Sequence, residues 1–167
     1  DLPVNVALEP VTGVKQFDPD MRKSIVALVR NPRTYEVLII NWGEGQGGKI
    51  FIGGGLEGDE DIVACATREV IEETGYSDIK YIGQTETIHH HYFALSKGIP
   101  REIEATGVYF ELRSDERIDT KLERDEVGKF QVEWMKSEQV ESQVQDELHR
   151  YVFESFLRGK VHSGQGV

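Results

Sequence analysis

The stretch Gly54–Tyr76, GGLEGDEDIVACATREVIEETGY, joins a glycine-rich break to a helix-forming run that ends at Gly75. Glu69, Glu72 and Glu73 are spaced i, i+3 and i+4 along that run. Residues with this spacing share one face of an α-helix, and like charges at i and i+4 weaken it. A solvated face could tolerate the three carboxylates. A divalent cation explains them better, because hard cations such as Mg²⁺ take oxygen ligands.

The same stretch resembles the Nudix box, the motif that defines a family of hydrolases. The motif runs Gly, five residues, Glu, seven residues, Arg-Glu, an aliphatic residue, one residue, Glu-Glu, one residue, Gly and an aliphatic residue. Eight positions match in register: Gly54, Glu60, Arg68, Glu69, Val70, Glu72, Glu73 and Gly75. Tyr76 departs from the motif, which usually has an aliphatic residue there. The resemblance implies an α/β protein of the Nudix fold, with a mixed β-sheet sandwiched between helices (α/β/α).

The resemblance also implies a reaction. Nudix enzymes hydrolyse a diphosphate linkage in a nucleoside diphosphate derivative, with metal ions that polarise phosphoryl oxygens and activate water. Motif position assigns the binding of Mg²⁺, or of Mn²⁺, to Glu69, Glu72 and Glu73. The backbone carbonyl of Gly53 is a further expected ligand. Glu69 is the candidate general base, and Glu72 and Arg68 complete the expected catalytic group, with Arg68 orienting the glutamates by ion pairing.

Three box residues are expected to be structural: Gly54, Glu60 and Gly75. A role as a metal ligand is the alternative for Glu60, but a carboxylate at the helix start is favoured. Ile52 stands where many Nudix proteins have proline, and Asp59 precedes the first box glutamate where glycine is common. These departures leave the placement of the substrate open and do not affect the metal-binding positions.

A loop predicted at 114–129 could supply a further carboxylate, as loops outside the box do in several Nudix enzymes. Four of its acidic residues are candidates for this role: Asp119, Glu123, Asp125 and Glu126. Glu126, followed by Glu123, is the preferred candidate, because both closely precede the strand predicted from Phe130. The alternative is that these side chains are only solvated loop charges.

Composition and charge exclude several functional classes. With 167 residues, of which 38% are hydrophobic and 29% charged, the chain suits one soluble globular domain. It has no apolar run near the roughly 18 residues of a membrane span and no leader of basic then apolar residues. A formal net charge of −11 argues against a large nucleic-acid footprint on this domain. A small nucleotide substrate shielded by metal agrees with that charge.

Cys65 is the single cysteine, which excludes an internal disulfide and suits a cytoplasmic protein. It lies among apolar residues of the predicted box helix. A small core residue is therefore expected there, in preference to a nucleophile.

Apolar runs bounded by turn residues predict the remaining elements. The predicted strands are 24–29 within the segment 22–30, 36–42, 49–52, a strand region at 80–95, 105–112 after a polar stretch that begins at 99, and 130–135. The box helix is predicted at 60–74, with Asp59 as its N-cap and Gly75 as its C-terminal stop. Apolar residues at spacings of three and four predict one amphipathic closing helix over 140–158.

Two groups of side chains have more than one interpretation. His89 and His91 share one face of a predicted strand, and His90 points to the other. A solvent- or pocket-facing strand is favoured for them over a second metal site. Trp42, Tyr92 and Tyr109 could stack on a base, although core packing is the favoured role for each.

The two ends resemble a second family, the bacterial leucyl-tRNA synthetases. The segment 1–4 (DLPV) is similar to part of their editing domain, and 162–167 (HSGQGV) is similar to the segment that follows it there. The chain is therefore expected to be a Nudix insert, whose termini must lie near each other. The expected division is a lead-in segment, a Nudix domain and an exit segment: 1–20, 21–160 and 161–167.

Three functional hypotheses follow. The first is a metal-dependent Nudix pyrophosphohydrolase, an acid anhydride hydrolase, inserted in a synthetase whose host chain ligates leucine to tRNA, edits it and binds tRNA. The second is an accessory or binding Nudix module without turnover. The third is a free-standing Nudix hydrolase.

Overall fold

The described residues, 22–94, 99–120 and 129–159 of a computed structural model, form eight strands and three helices. The strands are β1 (Arg22–Arg30), β2 (Glu36–Asn41), β3 (Lys49–Ile50), β4 (Ile52–Gly55), β5 (Ile79–Gln84), β6 (Ile88–Ala94), β7 (Ile99–Leu112) and β8 (Gln131–Lys136). The helices are α1 (Ile62–Thr74), α2 (Ser137–Gln143) and α3 (Glu147–Leu157).

The eight strands form one mixed sheet. Its main path runs β3-β2-β1-β7-β5, while β4 pairs with β1, β6 with β7 and β8 with β2. The β1–β7 pair is parallel, with register from Arg22↔Ile103 to Arg30↔Glu111, and the other pairs are antiparallel. The predicted mixed sheet is therefore confirmed.

Helices cover both faces of the sheet, because β1 is apolar on both sides. Ile25 and Ala27 pack in one buried cluster with Cys65 of α1. Val26 and Leu28, which alternate with them, pack in a second cluster with Val152 and Phe153 of α3. A continuous apolar run is expected of a strand buried on both faces. This arrangement confirms the predicted α/β/α layering.

Helix α1 begins two residues later than predicted. Asp61, and not Asp59, is its N-cap, because its Oδ2 accepts hydrogen bonds from the backbone N–H groups of Val63 (3.1 Å) and Ala64 (3.2 Å). Glu60 consequently lies before the helix. The predicted stop is correct: Gly75 takes a left-handed conformation, φ 79°, and its N–H donates to the Ile71 carbonyl (2.9 Å).

The predicted closing helix is wrong as a single element. Chain 140–158 contains the end of α2 and all of α3, separated at Val144, whose φ of −97° and ψ of 110° are extended. Asp146 then caps α3 by accepting a hydrogen bond from the His149 N–H (3.0 Å). Val140, Val144 and Leu148 are all buried in the same cluster. The apolar spacing therefore continues across a break that local capping creates.

The strand region predicted at 80–95 also divides, into β5 and β6. Residues 85–87 separate the two strands, and Thr85 bonds to Gly107 of β7 through both backbone and hydroxyl groups. The region 99–112 forms the single long strand β7, along which β5 and β6 pair in succession.

Several predictions fall outside the described residues. These are the lead-in segment 1–20, the exit segment 161–167, the proximity of the two termini, and the loop carboxylates Glu123, Asp125 and Glu126. No helix in the described ranges has the length and apolar character that crossing a membrane requires.

We expect Gly75→Ala to destabilise the fold more than Gly58→Ala. Both glycines have positive φ, 79° and 55°, which costs an L-residue roughly 1–2 kcal/mol. A Cβ on Gly75 would also lie 2.5 Å from the Ile118 carbonyl oxygen, whereas a Cβ on Gly58 has no atom within 4 Å. Urea denaturation should show a loss above about 2 kcal/mol for Gly75→Ala and about 1 kcal/mol for Gly58→Ala. Equal losses would contradict this account of the helix end.

Candidate active site

The side chain of Glu69 lies directly against the backbone of β4. A Cβ added to Gly54 would fall 1.5 Å from Glu69 Oε2 and 2.2 Å from its Cδ. Only glycine, which has no side chain, leaves room for the Glu69 carboxyl at this position. Gly54 also pairs with Ile25 of β1, so the strand that carries it is fixed in the sheet. The box glycine is thus needed because the carboxyl of Glu69 occupies the volume where a side chain would be.

Arg68 ties the box together. Its Nε and Nη2 each donate to Glu60 at 2.8 Å, a bidentate pair. Its Nη1 donates to Glu69 Oε1 and to Glu72 Oε2, both at 3.3 Å. Its Nη2 also donates to the Gly55 carbonyl (3.2 Å), which lies on β4. One guanidinium thereby contacts the loop, the strand and two of the three helix carboxylates.

Glu60 serves as the counter-ion of that guanidinium. The hydrogen bonds from Arg68, together with one from the Glu57 N–H (3.1 Å), lower the pKa of Glu60 to about 2. The carboxylate is therefore ionised throughout the neutral range. Both oxygens of Glu60 are occupied by donors from the protein, and its structural role stays a prediction.

Glu69 and Glu73 have the opposite electrostatic character. Burial raises the pKa of Glu69 to about 7; Arg68 opposes that shift, and the charge of Glu72 adds to it. Burial raises the pKa of Glu73 further, to about 8, and repulsion from Glu69 and Glu72 adds to the shift. The Glu72 side chain is 50% exposed, against 14% for Glu69. The helix therefore holds two desolvated acids beside a solvated one.

These carboxylates suit a hard divalent cation. In the ranges described, Glu73 Oε2 is buried and has no hydrogen-bond partner. A buried polar atom without a partner is costly, and repulsion within the group would be relieved by positive charge. Oxygen donors at one place are the preferred ligands of Mg²⁺ and Mn²⁺. Within the same ranges, no group of three His, Cys, Asp or Glu side chains is close enough to hold a metal ion as the side chains stand. Glu69 and Glu72 instead accept hydrogen bonds from Arg68.

Sequence reasoning missed His149, which supports β4 from the opposite side of the sheet. The backbone N–H of Phe51 donates to His149 Nδ1 at 3.0 Å, and the imidazole lies against Gly53. Burial lowers the pKa of His149, which keeps the ring neutral and able to accept that bond. Its place in the apolar stripe of α3 gave no sign of this contact, because the partner is 98 residues away.

Arg117 was missed as well, and it accounts for the unusual Tyr76. Its Nε and Nη2 donate to the Thr74 carbonyl at 2.9 and 2.7 Å, at the end of α1 where carbonyls lack helical partners. Its guanidinium lies 4.9 Å from the Tyr76 ring centre. Trp134 Nε1 donates to the Tyr76 hydroxyl (3.2 Å). An aromatic residue at this position therefore replaces an aliphatic one with a specific set of contacts.

The remaining candidates divide between core and surface. Cys65 is buried, and burial raises the pKa of its thiol to about 11, which fits the predicted core role. Tyr109 is also buried, and its hydroxyl donates to the Val152 carbonyl, so it is a core aromatic as predicted. Trp42 is partly buried and packs on Phe130, with ring centres 4.9 Å apart. The Tyr92 side chain is outside the described part of the chain.

Comparison with known proteins identifies relatives of this architecture. A family model described as "NUDIX domain" matches residues 20–156. A solved Nudix hydrolase from Nitrosomonas europaea is similar with a TM-score of 0.60 and 17% identity, over 89% of this chain and 96% of that one. The E. coli dihydroneopterin triphosphate pyrophosphohydrolase is similar with a TM-score of 0.62 and 15% identity, over 83% of this chain and 98% of that one. The C. elegans Ap4A hydrolase is similar with a TM-score of 0.51 and 16% identity, over 82% of this chain and 98% of that one. No curated protein matches the sequence.

We expect Gly54→Ala to weaken binding of Mn²⁺ by roughly tenfold or more, as loss of a supporting contact around metal ligands commonly does. The new methyl group must displace the Glu69 carboxyl, from whose Oε2 it would lie 1.5 Å. Gly55→Ala is the matched control, because its nearest contact would be the Lys23 carbonyl at 3.8 Å, an ordinary distance. Calorimetric titration should separate the two variants. Equal affinities would show that the place of Glu69 is unimportant for metal binding.

We also expect the metal-free protein to lose stability as pH rises from about 4.5 to about 8. The folded state holds the proton of Glu73 more tightly than the unfolded chain, whose carboxyl has the ordinary pKa of 4.5. Glu73→Gln carries no titrating proton and should remove its share of this decline, on the order of 4 kcal/mol at pH 8, while Glu69 contributes a smaller decline of the same sign. Urea denaturation with a chelator present measures it. Glu138→Gln, at an exposed position on α2, should keep the wild-type slope, and an unchanged slope in Glu73→Gln would contradict the burial of that acid.

Proposed function

Because the chain belongs to the Nudix domain family, we propose that it is a pyrophosphohydrolase that uses Mg²⁺ or Mn²⁺ to cleave a diphosphate linkage in a small nucleoside diphosphate derivative. Nudix hydrolases generally use divalent metals and act on small nucleotides. One observation carries the proposal for this chain. The desolvated acids Glu69 and Glu73 lie beside Glu72, and a Glu73 oxygen lacks a partner among the described residues.

The proposed roles follow from the contacts of each residue. A bound Mg²⁺ or Mn²⁺ supplies charge that polarises phosphoryl oxygens and lowers the pKa of water. Glu69, Glu72 and Glu73 would provide carboxylate ligands, and the carbonyl of Gly53 would provide a further one. Glu69, whose side chain is 14% exposed and contacts Arg68, accepts the proton of the attacking water. Arg68 fixes the orientation of Glu69 through its Nη1 hydrogen bond.

The acidic character of the protein supports a metal requirement. A formal net charge of −11 repels a polyphosphate, so the substrate needs cations at the carboxylates to approach. A further carboxylate from the 114–129 loop, with Glu126 before Glu123, stays a prediction. Both residues are outside the described ranges.

The other hypotheses are supported to different degrees. Because this chain covers 96% and 98% of two solved hydrolases, the comparisons back a hydrolase of that kind better than a synthetase insert. Insertion in a leucyl-tRNA synthetase, tRNA binding by a host chain and a cytoplasmic location stay predictions. A binding module without turnover would have the same metal site, and the activity assay below distinguishes it from a hydrolase.

We expect Glu69→Gln to lower kcat by roughly 10²-fold or more, in line with losses of a general base. The substitution keeps the size of the side chain and removes its charge and its basicity. Nucleotide release should be measured with Mg²⁺ over a panel of nucleoside diphosphate sugars, dinucleoside polyphosphates and oxidised nucleotides. Dihydroneopterin triphosphate and Ap4A join the panel because two similar structures are named for them.

Glu138→Gln is the control for that variant, since Glu138 is an exposed glutamate of α2. It should keep wild-type activity. Wild-type activity in Glu69→Gln would overturn the proposed role of Glu69 and leave the fold intact. A folded protein that binds metal and nucleotide but hydrolyses no compound of the panel would favour the binding module.

A further inference from the structure

A second group of metal-type ligands lies on the surface formed by β6 and β7. The antiparallel register places His89 opposite Glu104 and His91 opposite Glu102. Side chains two residues apart share one face of a strand, and directly opposite residues share the same face. The four side chains therefore stand together on one face. The intervening residue His90 faces the side on which Ile88 is buried against α3.

The closest contacts in this group involve Glu102. Its Oε1 is 3.8 Å from His89 Nδ1 and 3.9 Å from His91 Nε2, so one oxygen lies between two imidazole nitrogens. Glu104 Oε2 is 4.0 Å from His89 Nε2. All four side chains are partly exposed, from 22% to 45%. An ion in solution can reach them.

We propose that His89, His91 and Glu102 bind a late first-row transition metal ion, with Zn²⁺ the best fit, at a site separate from the box carboxylates. Imidazole nitrogen combined with a carboxylate oxygen is a donor set that suits Zn²⁺, Ni²⁺ and Cu²⁺. Water completes the coordination, and Glu104 Oε2 lies at the second ring nitrogen of His89, where it can accept the N–H and orient the ring. Mg²⁺ is disfavoured here, because it prefers oxygen ligands and gives up its waters reluctantly.

The geometry needs a small adjustment to coordinate a metal. Tetrahedral bonds of about 2.0–2.1 Å place neighbouring donor atoms about 3.3 Å apart. The observed separations of 3.8 and 3.9 Å must therefore close by about half an ångström. The side chains as described do not yet converge on one ion, here or elsewhere in the described ranges. Partly exposed imidazoles and carboxylates can rotate by this amount without moving the strands.

The new site is distinct from the box helix. Strands β1 and β7 lie between β4, which carries Gly54, and β6. The proposed ligand on β7 is two strand spacings from β4 and the ligands on β6 are three, about 10 and 14 Å, too far for one ion to contact both groups. The proposal therefore does not depend on the hydrolase activity proposed above.

The test is a Co²⁺ titration followed by visible absorption, because Co²⁺ in a tetrahedral site with nitrogen ligands absorbs strongly, and Zn²⁺ then displaces it. Excess Mg²⁺ is present throughout to occupy the box. Wild type and Glu69→Gln/Glu73→Gln should both bind one Co²⁺ with the same spectrum. His89→Gln/His91→Gln should lose affinity by roughly tenfold or more for each imidazole, about 1.4 kcal/mol each.

His90→Gln is the matched control on the same strand, and it should retain the Co²⁺ spectrum. Glu102→Gln is a second variant that leaves both imidazoles in place, and it should weaken binding and change the spectrum. Thermal unfolding of each variant establishes that it is folded. Equal Co²⁺ affinity in wild type and His89→Gln/His91→Gln would overturn the site. So would a Co²⁺ signal abolished by Glu69→Gln/Glu73→Gln, which would place the ion at the box.

Discussion

The carboxyl of Glu69 lies over the α-carbon of Gly54, and this contact sets how closely α1 approaches the sheet. The two residues belong to consecutive elements, a strand that ends in glycines and a helix that follows after a six-residue loop. Close approach removes water from Glu69 and Glu73, and the pKa values of both acids rise as a result. The same contact therefore creates the packing and the electrostatic character of the site.

Repulsion among the helix carboxylates would work against this approach without a positive partner. Arg68 provides one: it forms a bidentate pair with Glu60 and donates to both Glu69 and Glu72. Glu60 thereby ties the loop before the helix to the helix itself. Arg68 is partly buried, with 26% of its side chain exposed, and the bidentate counter-ion offsets the cost of its desolvation. The box is thus a structural unit that holds its acids in place before any metal binds.

Elements distant in the sequence hold this unit on both sides. His149 of α3 bonds to the backbone of Phe51, immediately before β4, and Arg117 bonds to the last carbonyl of α1 at Thr74. Both contacts use backbone atoms of the box region, so they do not depend on which side chains the box carries. They account for two residues that no local pattern in the sequence identified. Tyr76, a departure from the motif, is explained by the guanidinium of Arg117 and the indole of Trp134.

The sequence predicted the fold class through the resemblance of the box to a family motif, and it predicted the place of the box helix, and one helix face for Glu69, Glu72 and Glu73, through residue spacing. It also determined that Gly75 ends α1, since a left-handed residue is required there. Only the tertiary structure decided that Asp61 caps α1 and that the closing helix divides at Val144, because apolar spacing persists across a break made by local hydrogen bonds. The burial of Glu73 and the contact of Glu69 with Gly54 were likewise decided by packing between helix and sheet.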